Sequence, residues 1–173
     1  VYVLIEAAVG GGIPIIEPLK QSLGGNRINR VSGIINGTTN YILTRMADEG
    51  AAYADVLAEA QRLGYAEADP AADVDGLDAA DKIAILSALA FGGTVDRDAL
   101  PTTGISSLQG RDVEYARQLG YGVKLLAVAE RLATSGDRLP LSLRVQPTLV
   151  PSDHPLAGVN GVNNAILVEG DPI

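Results

Sequence analysis

Between Glu67 and Asp78 the chain sets five carboxylates (Glu67, Asp69, Asp73, Asp75 and Asp78), and a lysine, Lys82, follows four residues later. That i,i+4 spacing puts Asp78 and Lys82 on one helix face, close enough to share a proton or a substrate. A lysine held by a counter-charge is a general acid or base. The chain has only three lysines, Lys20, Lys82 and Lys124, so one beside an acidic loop is a restrictive choice. Pro70 and Gly76 fall in the same short span and restrict its backbone further.

Two other readings compete. With Asp73 and Asp75 as positions 3 and 5 of a calcium loop, position 1 falls on Ala71 and position 12 on Lys82. Neither suits calcium, and the EF-hand is rejected. The plainer alternative is a solvated acidic loop, with Asp78 starting a helix whose dipole it complements.

Elements on either side must carry this loop. Val56, Leu57, Ala60 and Leu63 recur at helical spacing over Asp55–Leu63, and Gly64 supplies the stop. Beyond the loop, Asp78–Phe91 is the clearest helix. Ile83, Leu86, Leu89 and Ala90 form its inner stripe, Ile85 widens it, and Gly92 and Gly93 end it.

Upstream, Val1–Ile5 reads as a strand that ends in a glycine-rich turn from Glu6 to Pro14. Glycines at 10 and 12 need a third at 15 for the dinucleotide fingerprint, and that residue is Ile15. The better reading is a loop whose carbonyls turn toward a ligand, with Glu6 nearby and Pro14 opening a helix to about Leu23. Ile28–Ile35 is a second strand. The turn from Asn36 to Asn40 leads into a helix over Tyr41–Asp48, closed by Gly50, with Thr38 or Thr39 as its N-cap. Turns at the C-terminal end of a strand often face a ligand.

Downstream, Asp112–Leu119 is a short helix with Ser106 or Ser107 as its cap. Val123–Leu132 and Leu139–Val150 are β-rich runs joined through a hairpin turn at Thr134–Asp137, and Asn164–Glu169 is a last strand. The expected fold is α+β over residues 1–173, with a mixed, largely antiparallel sheet and helices packed mainly on one face.

At 173 residues and 47% hydrophobic, the chain is long enough for one domain with a substantial core. A net charge of −8 argues against nucleic-acid and anionic-membrane surfaces, which want clustered Lys and Arg. No run approaches the roughly 18 apolar residues of a membrane span, and no signal-peptide pattern opens the chain. The absence of cysteine removes disulfides, thiolate–zinc sites and thiol nucleophiles, and fits a cytoplasmic setting. The chain starts within a strand-like run and lacks an initiator Met, so a portion of a longer protein is expected. His154, before Pro155 in a loop, reads as structural.

The central stretch resembles the signature of the homoserine dehydrogenase family. Ala60, Gly64, Tyr65, Ala66, Asp69–Pro70, Asp73–Val74, Gly76, Asp78 and Lys82 fall at its spacing. Segments Glu6–Ile15, Gly33–Ile42 and Gly122–Glu130 agree with it, as do His154–Ala157 and Asn164–Val168, so the resemblance covers nearly the whole chain.

It implies NADPH- or NADH-dependent reduction of L-aspartate 4-semialdehyde to L-homoserine, within threonine, methionine and isoleucine synthesis. Lys82 is then the acid/base, Asp78 orients Lys82 and the substrate hydroxyl, Glu67 takes the substrate ammonium with Asp73 close by, and Gly64 packs against the nicotinamide side of the cofactor. Glu6 with the carbonyls of Val9, Gly11 and Ile13 matches the family's sodium or potassium site. The family's amino-terminal cofactor domain has no counterpart here, and its glycine-rich return segment and any regulatory domain are missing as well. The resemblance therefore implies the substrate-binding and dimerisation portion, with NADP or NAD held mainly by the missing domain, a homodimer, and negligible turnover by this portion alone.

Two rivals remain. Semialdehyde and phosphate-aldehyde dehydrogenases need a thiol nucleophile, which for this chain would have to come from outside its 173 residues. A non-catalytic assembly module would keep the late strands for subunit pairing and would be indifferent to homoserine.

Overall fold

The computed structural model describes residues 5–132 and 140–172. The strand expected at 1–5 lies outside that range except for Ile5, which joins no strand, and the turn expected at 134–137 lies outside it entirely. A 3-10 turn (Glu6–Ala8) precedes α1 (Ile16–Lys20), β1 (Asn26–Ile34), α2 (Gly37–Glu49), α3 (Tyr53–Arg62), α4 (Ala71–Val74) and α5 (Leu77–Phe91). The chain continues through α6 (Gly110–Gln118), β2 (Tyr121–Arg131), β3 (Leu141–Pro151) and β4 (Ala165–Pro172).

The strands form a four-stranded sheet in the order β3-β2-β1-β4. Among the described residues every strand pair is antiparallel, and the parallel component is confined to an isolated bridge between Thr102 and Val145. β2 lies between β3 and β1, which is why its burial runs on without alternation: residues 123–129, Lys124 among them, are all buried. Val123, Leu125, Ala127 and Ala129 face the helices, and Leu126 and Val128 pack with Ile34, Val150 and Leu156 on the other side. Helices therefore cover one face, as the pattern predicts. The second face is covered by the segment around Leu156–Val159 instead.

α5 is the central helix. Ile83 and Leu86 are fully buried against the sheet, and burial of such side chains stabilises by about 1.5–3 kcal/mol each. Ile85 is a correction to the expected stripe: it is 40% exposed. Two residues at about 100° each carry it to the far side of the helix from Ile83.

Other boundaries shift for local reasons. α1 begins at Ile16 and not Pro14. α2 begins at Gly37, because Asn36 and not Thr38 or Thr39 is its N-cap. The cap of α6 is Gln109, in a reciprocal capping box with Asp112, so neither Ser106 nor Ser107 is used. α4 is a one-turn helix inside the stretch expected to be a loop.

Candidate active site

Asp78 opens the first turn of α5 and Lys82 lies one turn later, so the expected pairing forms. Lys82 Nζ donates to Asp78 Oδ2 at 2.6 Å and to the Ile35 carbonyl at 3.1 Å. The two side chains are 24% and 32% exposed, which leaves the pair reachable yet largely shielded from water. An ammonium has three donors. Two are committed, and one remains for a ligand.

Asp73 arrives from α4 because of a single residue. Gly76, with φ of 82°, makes the bend between α4 and α5. It is buried, and a Cβ there would sit 3.2 Å from both Thr102 Cγ2 and Val145 Cγ1. A side chain at this position is disfavoured by conformation and by space alike.

The residue that binds these parts together is one the sequence reading assigned no chemistry. Asn36 Nδ2 donates to Asp73 Oδ1 at 2.7 Å and to Asp78 Oδ2 at 2.9 Å. Its Oδ1 accepts from the Thr39 backbone amide at 2.9 Å and capping α2. One buried amide thus holds two carboxylates beside each other and starts the helix behind them. The signal for it was the turn at the end of β1, which pointed to a ligand-facing segment without singling out Asn36.

These groups line a cleft of about 410 Å³ together with Gly37, Thr38, Gly64, Tyr65 and Val162. Thr38 Oγ1 donates to the Tyr65 carbonyl at 2.7 Å, tying the loop after α3 to the start of α2. The Tyr65 ring stands edge-on to Tyr41, with centroids 5.1 Å apart. Lys82, Asp78, Asp73 and Gly64 are therefore brought together. Glu67 is exposed on the loop beside the cleft, outside its lining, with its backbone carbonyl accepting from Gln61.

Glu6 lies apart from this cleft. Its Oε1 accepts from the Ile16 amide at 2.6 Å and its Oε2 from the Glu17 amide at 3.1 Å, at the start of α1. A carboxylate has about four lone-pair sites, so two remain, and the carbonyls of Val9, Gly11 and Ile13 follow on the same loop. A carboxylate and backbone carbonyls are the kind of oxygen donors that a hard cation takes. Among the described residues no cluster of three or more His, Cys, Asp or Glu side chains offers a site for a metal ion, and no helix is long and apolar enough to cross a membrane.

A family model described as homoserine dehydrogenase matches residues 14–173. A homoserine dehydrogenase of Synechocystis is 64% identical over 173 residues, the whole of this chain and 40% of that protein. A crystal structure of a homoserine dehydrogenase from Thiobacillus denitrificans superposes with a TM-score of 0.93 at 53% identity, over 99% of this chain and 38% of that one. A hyperthermophilic archaeal homoserine dehydrogenase mutant, solved in complex with NADPH, gives a TM-score of 0.76 at 32% identity over 98% of this chain and 46% of that one. This chain thus spans about 40% of the length of such relatives.

Proposed function

Because the chain belongs to the homoserine dehydrogenase family, we propose that it forms the substrate-binding and catalytic portion of an enzyme interconverting L-homoserine and L-aspartate 4-semialdehyde. The observation that carries this reading is the Lys82 ammonium, held by Asp78 and the Ile35 carbonyl with one donor left over. In the reducing direction Lys82 gives its proton to the carbonyl oxygen of the aldehyde and stabilises the alkoxide charge as it develops. In the oxidising direction it takes the hydroxyl proton. Asp78 orients Lys82 and the substrate hydroxyl end, while Asp73, with Glu67 from the loop outside the lining, would take the substrate ammonium. NADP or NAD, held mainly by a separate domain, supplies or accepts the hydride when bound, and Gly64 gives its nicotinamide side a surface without a side chain.

Glu6 and the carbonyls of Val9, Gly11 and Ile13 would hold sodium or potassium, whose part is to fix the loop ahead of α1. Self-association into a homodimer through the late strands belongs to the same proposal. β4 supports it, since it is an edge strand whose outer side has no strand partner among the described residues. The setting that fits is a cytoplasmic enzyme of threonine, methionine and isoleucine synthesis.

The test is homoserine oxidation by the full-length protein with Lys82 intact and as Lys82→Ala. Turnover falling by about 10²–10⁴-fold, with homoserine still bound, is the result expected for loss of an acid/base. Unchanged turnover would move the assembly-module reading ahead, and a chain indifferent to homoserine would confirm that alternative.

A further inference from the structure

Lys124, on β2, is 4% exposed, yet no carboxylate among the described residues pairs with it. Its Nζ donates to the Val159 carbonyl at 2.6 Å, to Asn160 Oδ1 at 3.0 Å and to Asn40 Oδ1 at 3.2 Å. All three donors thus end on neutral oxygens, two of them on the strap of chain between residues 159 and 163. Burial pushes the Lys124 ammonium below its usual pKa, with the Asp48 carboxylate opposing. Filling a core does not require such a charge, since an apolar side chain of similar volume does it at lower cost. The strap accounts for it.

α2 grips the same strap. Asn40 Nδ2 donates to the carbonyls of Val159 at 3.1 Å and Asn163 at 3.0 Å, and Thr44 Oγ1 accepts from the Gly161 amide at 3.0 Å. The strap lies so close to the first turn of α2 that a Cβ on Gly37 would stand 2.8 Å from the Val162 carbonyl. Val162, in the strap held in this way, is 46% exposed and lines the cleft that contains Asp78 and Lys82. It is the aliphatic side chain of a lining otherwise made of polar groups, glycines and Tyr65.

We infer that Lys124 is a positioning residue for the reaction: through the strap at 159–163 it sets Val162 as the apolar wall of the cleft, against the carbon chain of the substrate. The inference rests on the reading of that cleft as the reaction site. A small amino-acid substrate offers charged groups to Asp73, Asp78 and Lys82, but its methylenes need an apolar surface, and an anchored strap supplies one at a fixed distance.

The test uses the full-length protein with Lys124→Met, Val162→Ala and the double variant. Each single change is expected to raise the KM for homoserine, by about tenfold for a lost apolar contact, and to leave the KM for the cofactor unmoved. The double variant should be no worse than Lys124→Met, because a released strap no longer delivers Val162. A purely structural Lys124 would lower the concentration of active enzyme without touching KM. That outcome, an unchanged homoserine KM in Val162→Ala, or effects that multiply would each overturn the inference. If Lys124→Met does not fold, Thr44→Ala, which removes the acceptor for the Gly161 amide, takes its place in the same cycle. Loss of turnover in Lys82→Ala keeps the site reading intact whichever way the strap variants behave.

Discussion

Asn36 and Lys82 share an acceptor: Asp78 Oδ2 takes a hydrogen bond from the Asn36 amide at 2.9 Å and from the Lys82 ammonium at 2.6 Å. The two donors come from different helices, one capping α2 and the other inside α5. Their common target fixes the direction of the Lys82 ammonium relative to the start of α2. The Ile35 carbonyl, next to Asn36, completes the arrangement from the end of β1. Three segments therefore decide where the Lys82 ammonium points.

Asn36→Ser separates the two roles of that residue. Serine caps helices as well as asparagine does, so thermal stability should stay close to the parent. Serine has no amide to reach Asp73 and Asp78, so homoserine turnover should fall at least about tenfold, as expected for loss of an oriented charge-assisted contact. Matched losses of stability and activity would assign Asn36 to the helix cap alone.

Lys82→Arg should not rescue the proton transfer lost in Lys82→Ala. A guanidinium keeps the positive charge but stays protonated at any working pH. Steady-state rates near the parent in the arginine variant would show that Lys82 contributes charge and no proton.

Gly76→Ala should destabilise the chain by about 1–2 kcal/mol from the left-handed backbone conformation alone, with the crowding against Thr102 and Val145 adding to it. Urea unfolding measures the loss. A midpoint equal to that of the parent would mean the bend between α4 and α5 relaxes freely, and Asp73 would no longer be fixed by it.

Lys124 gives a pH dependence of definite sign. Burial holds its folded-state pKa below the ordinary lysine value, so the unfolded chain binds the proton more tightly. Stability from this group therefore rises with pH, from the depressed pKa up to the unfolded value of about 10.4. Denaturant unfolding of the parent and of Lys124→Met across the alkaline range should show the parent gaining on the variant. A constant gap would contradict the sign.

The sequence by itself determined the local pieces. Helical spacing located α3 and α5, the glycines at 50, 64 and 92 marked where helices stop, and the i,i+4 spacing put Asp78 and Lys82 together. The β-rich run Val123–Leu132 announced the strand β2. All of these are contacts between near neighbours, for which the period of the backbone is the whole geometry.

What only the tertiary structure decided lies across long separations. Asn36 meets Asp78 from 42 positions away, Lys82 meets the Ile35 carbonyl from 47, and Lys124 meets Asn40 from 84. Val162 enters the cleft on a strap no periodic signal describes, and Ile85 turns outward from a stripe whose composition it shares. Glu67, one of five similar carboxylates in the sequence, lies outside the cleft lining, while Asp73 is drawn in by the bend at Gly76. The reason is physical: a hydrogen bond between distant segments leaves no period in either of them. Which carboxylate faces which donor is fixed only when the sheet and α5 pack.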